Sequence, residues 1–243
     1  MPVPKKIHYI WLGGKELPGE SQKYINEWKE LLHDYQIIKW DESNLDLNAH
    51  PFVKKAYANR QFSFVSDYFR LWILNKEGGI YLDTDVRVKK RFDEFLNKSF
   101  FIGYMNKSMI ATSVIGSTAG HPYIKMLLDQ FDSNNVSVGT PNNIWTTKAF
   151  IDNVTGFYLT GETMELPIDA KIYDSKYFDR ATKITTKGYS THYYYGAWYR
   201  KKPIVVSKRT EVLVAVVTEK LSNIASRFKG QRRNDIRRFR NKL

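Results

Sequence analysis

Apolar positions along the first 131 residues switch between two periods, and the switches mark out elements. Ile7 to Leu12 is an unbroken apolar and aromatic run closed by Gly13 and Gly14, which predicts a buried strand. From Ser21 to Tyr35 the apolar residues Tyr24, Ile25, Trp28, Leu31 and Leu32 recur at helical spacing, with Ser21 placed to serve as the N-cap. Gln36 to Trp40 then reads as a short strand ended by Asp41. Strand, helix and strand in close succession predict a βαβ unit and a parallel sheet. Two helices follow, Pro51 to Ala58 and Phe62 to Lys76. Phe64, Val65, Tyr68, Leu71 and Trp72 form an apolar face on the second, and Gly78-Gly79 terminates it. Ile80 to Leu82 is a short buried strand that runs directly into Asp83-Thr84-Asp85.

Phe100 to Tyr104 and Ile110 to Ile115 are predicted strands. His121 to Phe131 is a predicted helix carrying Ile124, Leu127, Leu128 and Phe131. Residues 133–143, rich in Asn and Ser, read as a polar loop. The stretch 144–198 reads as short strands and turns ending in the aromatic residues Tyr193, Tyr194, Tyr195 and Trp198. Neither an internal repeat nor a long linker interrupts this body. The expectation is one α/β domain over residues 1–205 and a basic helical tail over 206–243.

Composition narrows the chemistry. With 243 residues, 42% of them hydrophobic and 15% aromatic, the chain can bury a sizeable core. It contains no cysteine, which removes disulfide frameworks, thiolate metal sites and cysteine nucleophiles. The longest strongly apolar run, Val212 to Val217, is far shorter than the roughly 20 residues that span a bilayer, and no signal-peptide pattern follows Lys5 and Lys6. A cytoplasmic, non-spanning protein is the expectation. The net charge of +13 is concentrated at one end: residues 199–243 hold 14 Lys and Arg against three acids, so the remainder is close to neutral.

Asp83 and Asp85, at i and i+2 where a buried strand ends, project to the same side in extended geometry. They can chelate a hard divalent cation such as Mg²⁺ or Mn²⁺, in the region beyond strand ends where α/β sheets collect ligands. Asp67 and Arg70 lie one turn apart on the preceding helix, off its apolar face. The ordered series Ser66-Asp67-x-x-Arg70, Gly78-Gly79, Ile80-Tyr81-Leu82-Asp83-Thr84-Asp85 resembles the DXD-containing sugar-transferase family. That family groups bacterial capsule and lipopolysaccharide transferases with yeast initiating mannosyltransferases, and is more distantly similar to the glucosyltransferase domains of large clostridial toxins. Pro4-x-x-Ile7-His8-Tyr9-Ile10-Trp11 matches the family's opening motif. Gly120-His121-Pro122 is similar to its helix start and reads as a structural cap.

The resemblance implies a GT-A type nucleotide-sugar-binding domain with a mixed central sheet. It implies Asp85 on the cation, Asp83 on the cation and on the ribose and sugar side, Thr84 beside them, and Asp67 and Arg70 on donor hydroxyls and phosphate. Trp11 would stack on the nucleobase, while His8 reads as a structural residue of its strand. His192-Tyr193-Tyr194-Tyr195-Gly196-Ala197-Trp198 is similar to a motif near the end of the family domain. It offers His192 as a third metal ligand or diphosphate contact, and Trp198 as a lid on the nucleotide or a core anchor. Pro141-Asn142-Asn143 lies where relatives place acceptor-facing residues, but reads as part of the polar loop.

The implied activity is metal-dependent, retaining transfer of a hexose from a nucleotide sugar, foremost a UDP-hexose, to a capsular or lipid-linked glycan, with Mn²⁺ or Mg²⁺ as cofactor. Two alternatives fit fragments of the pattern. Asp83-Thr84-Asp85-Val86 matches the nucleophile motif of haloacid-dehalogenase-type phosphatases, but no later paired-acid motif accompanies it. A nucleic-acid-binding protein would exploit the basic tail, but no recognisable motif organises it, so no nucleic-acid partner is expected. An apolar helical set from Val212 to Phe228, followed by Arg232, Arg233, Arg237, Arg238 and Arg240, instead suggests peripheral attachment to an anionic membrane surface.

Overall fold

A computed structural model describes residues 2–133, 135–179 and 188–195. The strands are β1 (Lys6–Ile10), β2 (Gln36–Trp40), β3 (Gly79–Leu82), β4 (Val86–Val88), β5 (Phe100–Asn106), β6 (Met109–Ser117), β7 (Met164–Leu166), β8 (Ala170–Tyr173) and β9 (Ser190–His192). The helices are α1 (Gly19–Leu31), α2 (Pro51–Ala58), α3 (Phe62–Glu77), α4 (Pro122–Asp132), α5 (Asn142–Asn153) and α6 (Ser175–Phe178).

Seven strands form one sheet in the order β2-β1-β3-β6-β5-β8-β7, and β4 pairs with β9 in a separate two-stranded ribbon. β1 runs parallel to both β2 and β3, as the βαβ pattern predicts, whereas β6 runs antiparallel to β3 and β5. The sheet is therefore mixed, as expected.

Period-two alternation sorts side chains to the two faces. Tyr81, Phe100, Ile102 and Ile115 join a core with α2, α3, α4 and α5. Ile80, Leu82, Phe101 and Val114 face the other way, into a core with α1, Phe92, Phe95 and Phe178. The basic tail, residues 206–243, and Trp198 lie outside the described residues.

The join between α3 and β3 sets up everything that follows. Gly78 and Gly79 both take positive φ, 61° and 104°, which an L side chain rarely tolerates. A Cβ on Gly79 would also lie 2.8 Å from His8 Nε2. The glycine pair lets the chain leave the helix and enter the sheet against β1 without a gap. His8 is completely buried there and closes the turn: Nε2–H donates to the Gly78 carbonyl at 2.8 Å, while Nδ1 accepts the indole N–H of Trp40 at 3.1 Å. Since an indole only donates, Nδ1 must be the bare nitrogen, and His8 is a neutral structural residue as its strand position suggested. Burial holds its pKa down at about 4. His121 caps α4 as expected, with Nδ1 accepting from Tyr123 N and Pro122 at the first helical position.

Two sequence readings are corrected. Ser21 is not the cap of α1. The helix opens at Gly19 after Pro18, whose carbonyl accepts from Gln22 N at 2.9 Å, so Ser21 lies inside the first turn and is buried. The segment after residue 141 is not a run of short strands and turns at its start but the 12-residue helix α5. Its buried face mixes Trp145, Ala149 and Phe150 with Thr146 and Thr147, so an apolar count alone misses it.

Candidate active site

α3 is buried on almost every side, and this forces its polar residues into service. Ser66, Asp67 and Arg70 are each under a tenth exposed. Arg70 fans its guanidinium across four partners. Nη2 meets Asp67 Oδ1 at 2.9 Å and Asp83 Oδ1 at 3.3 Å, and donates to Ser66 Oγ at 3.2 Å. Nη1 donates to the Thr112 carbonyl at 2.9 Å. Its cationic carbon sits 4.7 Å from the centre of the Tyr81 ring. Tyr81 in turn donates its hydroxyl to Asp83 Oδ1 at 2.9 Å. The i,i+3 pair is thus no solvated surface bridge but a buried fork that fixes two carboxylates at once. Burial raises the Asp67 pKa to about 6, even though Arg70 and Asn142 favour its charged form. Asn142 Nδ2 donates to Asp67 Oδ1 at 2.5 Å.

The Asp83–Asp85 segment leaves β3 through a tight turn. Asp83 N donates to the Ser113 carbonyl of β6, and Val86 N donates to the Asp83 carbonyl, both at 3.0 Å. β4 then pairs antiparallel with β9 in a register that sets Val86 opposite His192. That pairing carries His192 to the acidic turn, with Nε2 3.2 Å from Asp85 Oδ1 and Nδ1 3.4 Å from Asp179 Oδ1. The chain beyond β9 wraps over Asp85: Tyr193 N donates to its carbonyl at 3.1 Å, and Tyr195 N to Oδ2 at 2.9 Å. α1 braces the ribbon from beneath, with the Trp28 indole donating to the Val86 carbonyl at 3.0 Å and the Tyr24 ring stacked on Tyr193. Burial disfavours the charged form of His192, but Asp179, Asp85 and Asp83 outweigh it and push the imidazole up to about 10. The Asp85 carboxyl is held below its ordinary value despite burial, chiefly by His192 and the Tyr195 N–H.

Asp83, Asp85 and His192 each present a ligand atom, and these lie within 4.8 Å of one another. The 3.2 Å between His192 Nε2 and Asp85 Oδ1 is close to the edge of an octahedron with bonds of about 2.1 Å, roughly 3 Å. Two carboxylates and one imidazole therefore fit a six-coordinate divalent cation with positions to spare for solvent or substrate oxygens.

These groups open onto a cleft of about 370 Å³ lined by Asp67, Arg70, Asp83, Thr84, Asp85, Asn142 and His192, among others. Six of the eight residues singled out from the sequence thus meet in one place. Trp11 is not in the lining: it is 6% exposed at the end of β1, its indole donating to the Lys15 carbonyl at 2.6 Å. Trp198 lies outside the described residues. The structure adds Asp179 and Tyr194, which sequence reasoning did not assign, and Asn142, which the resemblance set among acceptor-facing positions but which was read as part of a polar loop. Pro141, immediately ahead of α5, was the available signal for Asn142, since proline at a helix entry is common.

Residues 18–102 match the profile of the family described as glycosyltransferase sugar-binding region containing DXD motif. Over 219 residues the chain is 30% identical to an uncharacterized glycosyltransferase of Acanthamoeba polyphaga mimivirus, an alignment covering 81% of this chain and 84% of that protein. The chain belongs to this glycosyltransferase family. It is also 32% identical over 129 residues to inositol phosphoceramide mannosyltransferase 3 of Schizosaccharomyces pombe, of which it spans 35%. Among solved structures, the PaToxG glycosyltransferase superimposes with a TM-score of 0.50 at 21% identity, covering 64% of this chain and 70% of that one. The fold is the GT-A type. This glycosyltransferase has no described helix long and apolar enough to cross a membrane.

Proposed function

We propose that the chain transfers a hexose from a nucleotide sugar to a glycan acceptor with retention of anomeric configuration, using a divalent cation held by Asp83, Asp85 and His192. The observation that carries this reading is the convergence of those three ligands with the buried Asp67–Arg70 fork in one cleft. When bound, the cation neutralises charge that builds on the leaving diphosphate. The mixed oxygen and nitrogen donor set favours Mn²⁺ over Mg²⁺, which takes oxygen ligands and parts reluctantly with water.

Asp67 lies at the cleft floor, where its carboxylate can receive a donor-sugar hydroxyl, and Arg70 fixes the direction of both Asp67 and Asp83. Because those carboxylates are already fixed by protein partners, little rearrangement accompanies substrate entry. For Trp11 to stack on a base, the segment after β1 would have to move, since the indole is covered in the present arrangement. The acceptor proton passes to the leaving diphosphate in a front-side displacement.

A UDP-hexose is the first candidate donor, and the mannosyltransferase name of the fission-yeast relative adds GDP-mannose to the set worth testing. Incubation of the purified chain with Mn²⁺ and a panel of UDP- and GDP-sugars tests this, with ¹H NMR of the released sugar reading its anomeric form. Metal-dependent release of the α-anomer from an α-linked donor supports the reading; no turnover of any donor, or inversion, defeats it. The tail, with 11 Lys and Arg in residues 206–243, is proposed to hold the enzyme at an anionic membrane surface bearing a lipid-linked acceptor. Truncation of residues 230–243 should abolish sedimentation with anionic liposomes while sparing hydrolysis of the free nucleotide sugar.

A further inference from the structure

Asp179 sits beneath the cleft, and the cation chemistry itself makes no direct use of it. It closes α6, whose last turn is fixed by Asp179 N donating to the Ser175 carbonyl at 3.2 Å. Its side chain is 0% exposed. A buried carboxylate at the end of so short a helix is a costly feature unless its charge is used. Three contacts show where it is directed. His192 Nδ1 lies 3.4 Å from Asp179 Oδ1, on the opposite side of the ring from Asp85. The Tyr194 hydroxyl donates to the same oxygen, and the Tyr194 ring packs on the imidazole with centroids 3.9 Å apart. The backbone joins the same pair, His192 N donating to the Asp179 carbonyl at 3.1 Å. The imidazole is therefore held along one edge by a carboxylate and over one face by a phenol ring, with Nε2 left pointing at Asp85.

We propose that Asp179 is a positioning residue for the metal site: it accepts the Nδ1 proton of His192 and thereby presents Nε2, with its lone pair, to a cation shared with Asp83 and Asp85. Histidines that bind metals usually need such an outer partner, because an imidazole free to rotate or to change tautomer offers its lone pair in the right direction only part of the time. Tyr194 keeps the Asp179 carboxylate turned toward the ring. The inference rests on the cation reading given above, and the two can fail separately.

The test is Mn²⁺ binding to the full-length chain, followed by electron paramagnetic resonance of the free ion, in wild type, Asp179→Ala, His192→Gln and the double variant. Pulsed measurements of ¹⁴N coupling would report imidazole ligation. Each single variant should weaken Mn²⁺ binding by about 10–100-fold. The double variant should bind within about twofold of His192→Gln, because Asp179 has nothing left to orient. Asp179→Asn keeps the shape and an acceptor for Tyr194 but removes the charge. It should bind Mn²⁺ between wild type and Asp179→Ala, and it serves if the alanine variant does not fold. Wild-type affinity in both Asp179 variants overturns the inference alone. So does an equal loss from Asp179→Ala in the His192→Gln background, which would mean that Asp179 acts through the fold. Absence of ¹⁴N coupling in wild type overturns the cation reading at His192 and this inference together.

Discussion

The two walls of the cleft are built in opposite ways. One comes from α3 and β3, which are adjacent in sequence; its groups are buried, mutually bonded and locked by one arginine with four protein partners. The other comes from the β4–β9 ribbon, where three paired residues on each strand bring a distant histidine to the acidic turn and three consecutive tyrosines remain 39–46% exposed. The first wall is a rigid template. The second is a short hairpin-like clasp whose placement depends on α1 beneath it. The template fixes Asp67 and Asp83 through protein partners, while the clasp brings His192, the third group of the proposed cation site, to the acidic turn.

If that contrast is right, variants of the two walls should separate cleanly. Asp85→Ala, which removes the carboxylate shared by both walls, should reduce turnover by at least about 10³-fold with little change in thermal stability. His192→Gln should cost only about 10–100-fold, much of it recovered at high Mn²⁺, because solvent can replace one ligand of several. Equal losses that extra Mn²⁺ does not relieve would erase the distinction. Arg70→Met leaves Asp67 buried without its countercharge, and urea denaturation should show about 3–5 kcal/mol of lost stability besides lost activity.

A gentler test addresses the brace. Trp28→Phe removes the indole donor to the Val86 carbonyl and should cost about 1–2 kcal/mol. Its effect on Mn²⁺ affinity should exceed its effect on nucleotide affinity, since the ribbon moves and the template does not.

The smallest effect on activity concerns pH. His8 and His121 are held near pKa 4 by burial, against 6.5 in the unfolded chain. Between these values the unfolded state binds more protons, so both histidines make stability fall as pH falls from about 6.5 to 4. Asp67, raised to about 6 against 3.8, works in the reverse sense over part of that range. His8→Gln should leave the activity profile in place but flatten the acid limb of stability by up to about 1.4 kcal/mol per pH unit. An unchanged slope in pH-dependent denaturation would show that the ring is not buried in its neutral form.

The same contrast explains what could be read in the sequence. Template residues lie close together in sequence, so spacing alone set Asp83 and Asp85 to one side and Asp67 and Arg70 one turn apart, while the family resemblance joined the two pairs into one site. β1, β2, α2 and α3 were legible for the same reason: period and punctuation are local. The mixed sheet was not, since the βαβ pattern alone pointed to a parallel one and only the family resemblance implied the antiparallel β6. His192 was reached only through resemblance to a family motif. Asp179 and the β4–β9 pairing carried no local signal, since three-residue strands have no period to detect and their partners are chosen by tertiary packing. α5 was missed because a helix that buries threonines beside tryptophan and phenylalanine does not show a clean apolar stripe.

The β4–β9 pairing also dictates when during synthesis this site comes into being. Tyr195 and Asp85, which share a hydrogen bond, are 110 positions apart. The acidic turn can take shape once β6 has emerged to receive β3, whereas its imidazole arm, on β9, is made only much later in synthesis. Closing so long a loop carries an entropic cost that grows only slowly with length, so the delay is one of order rather than of energy. A nascent chain thus acquires most of its sheet before the imidazole that the proposed cation site needs. Until β9 docks, the acidic turn stands without its imidazole partner, so the proposed transfer chemistry waits on that strand.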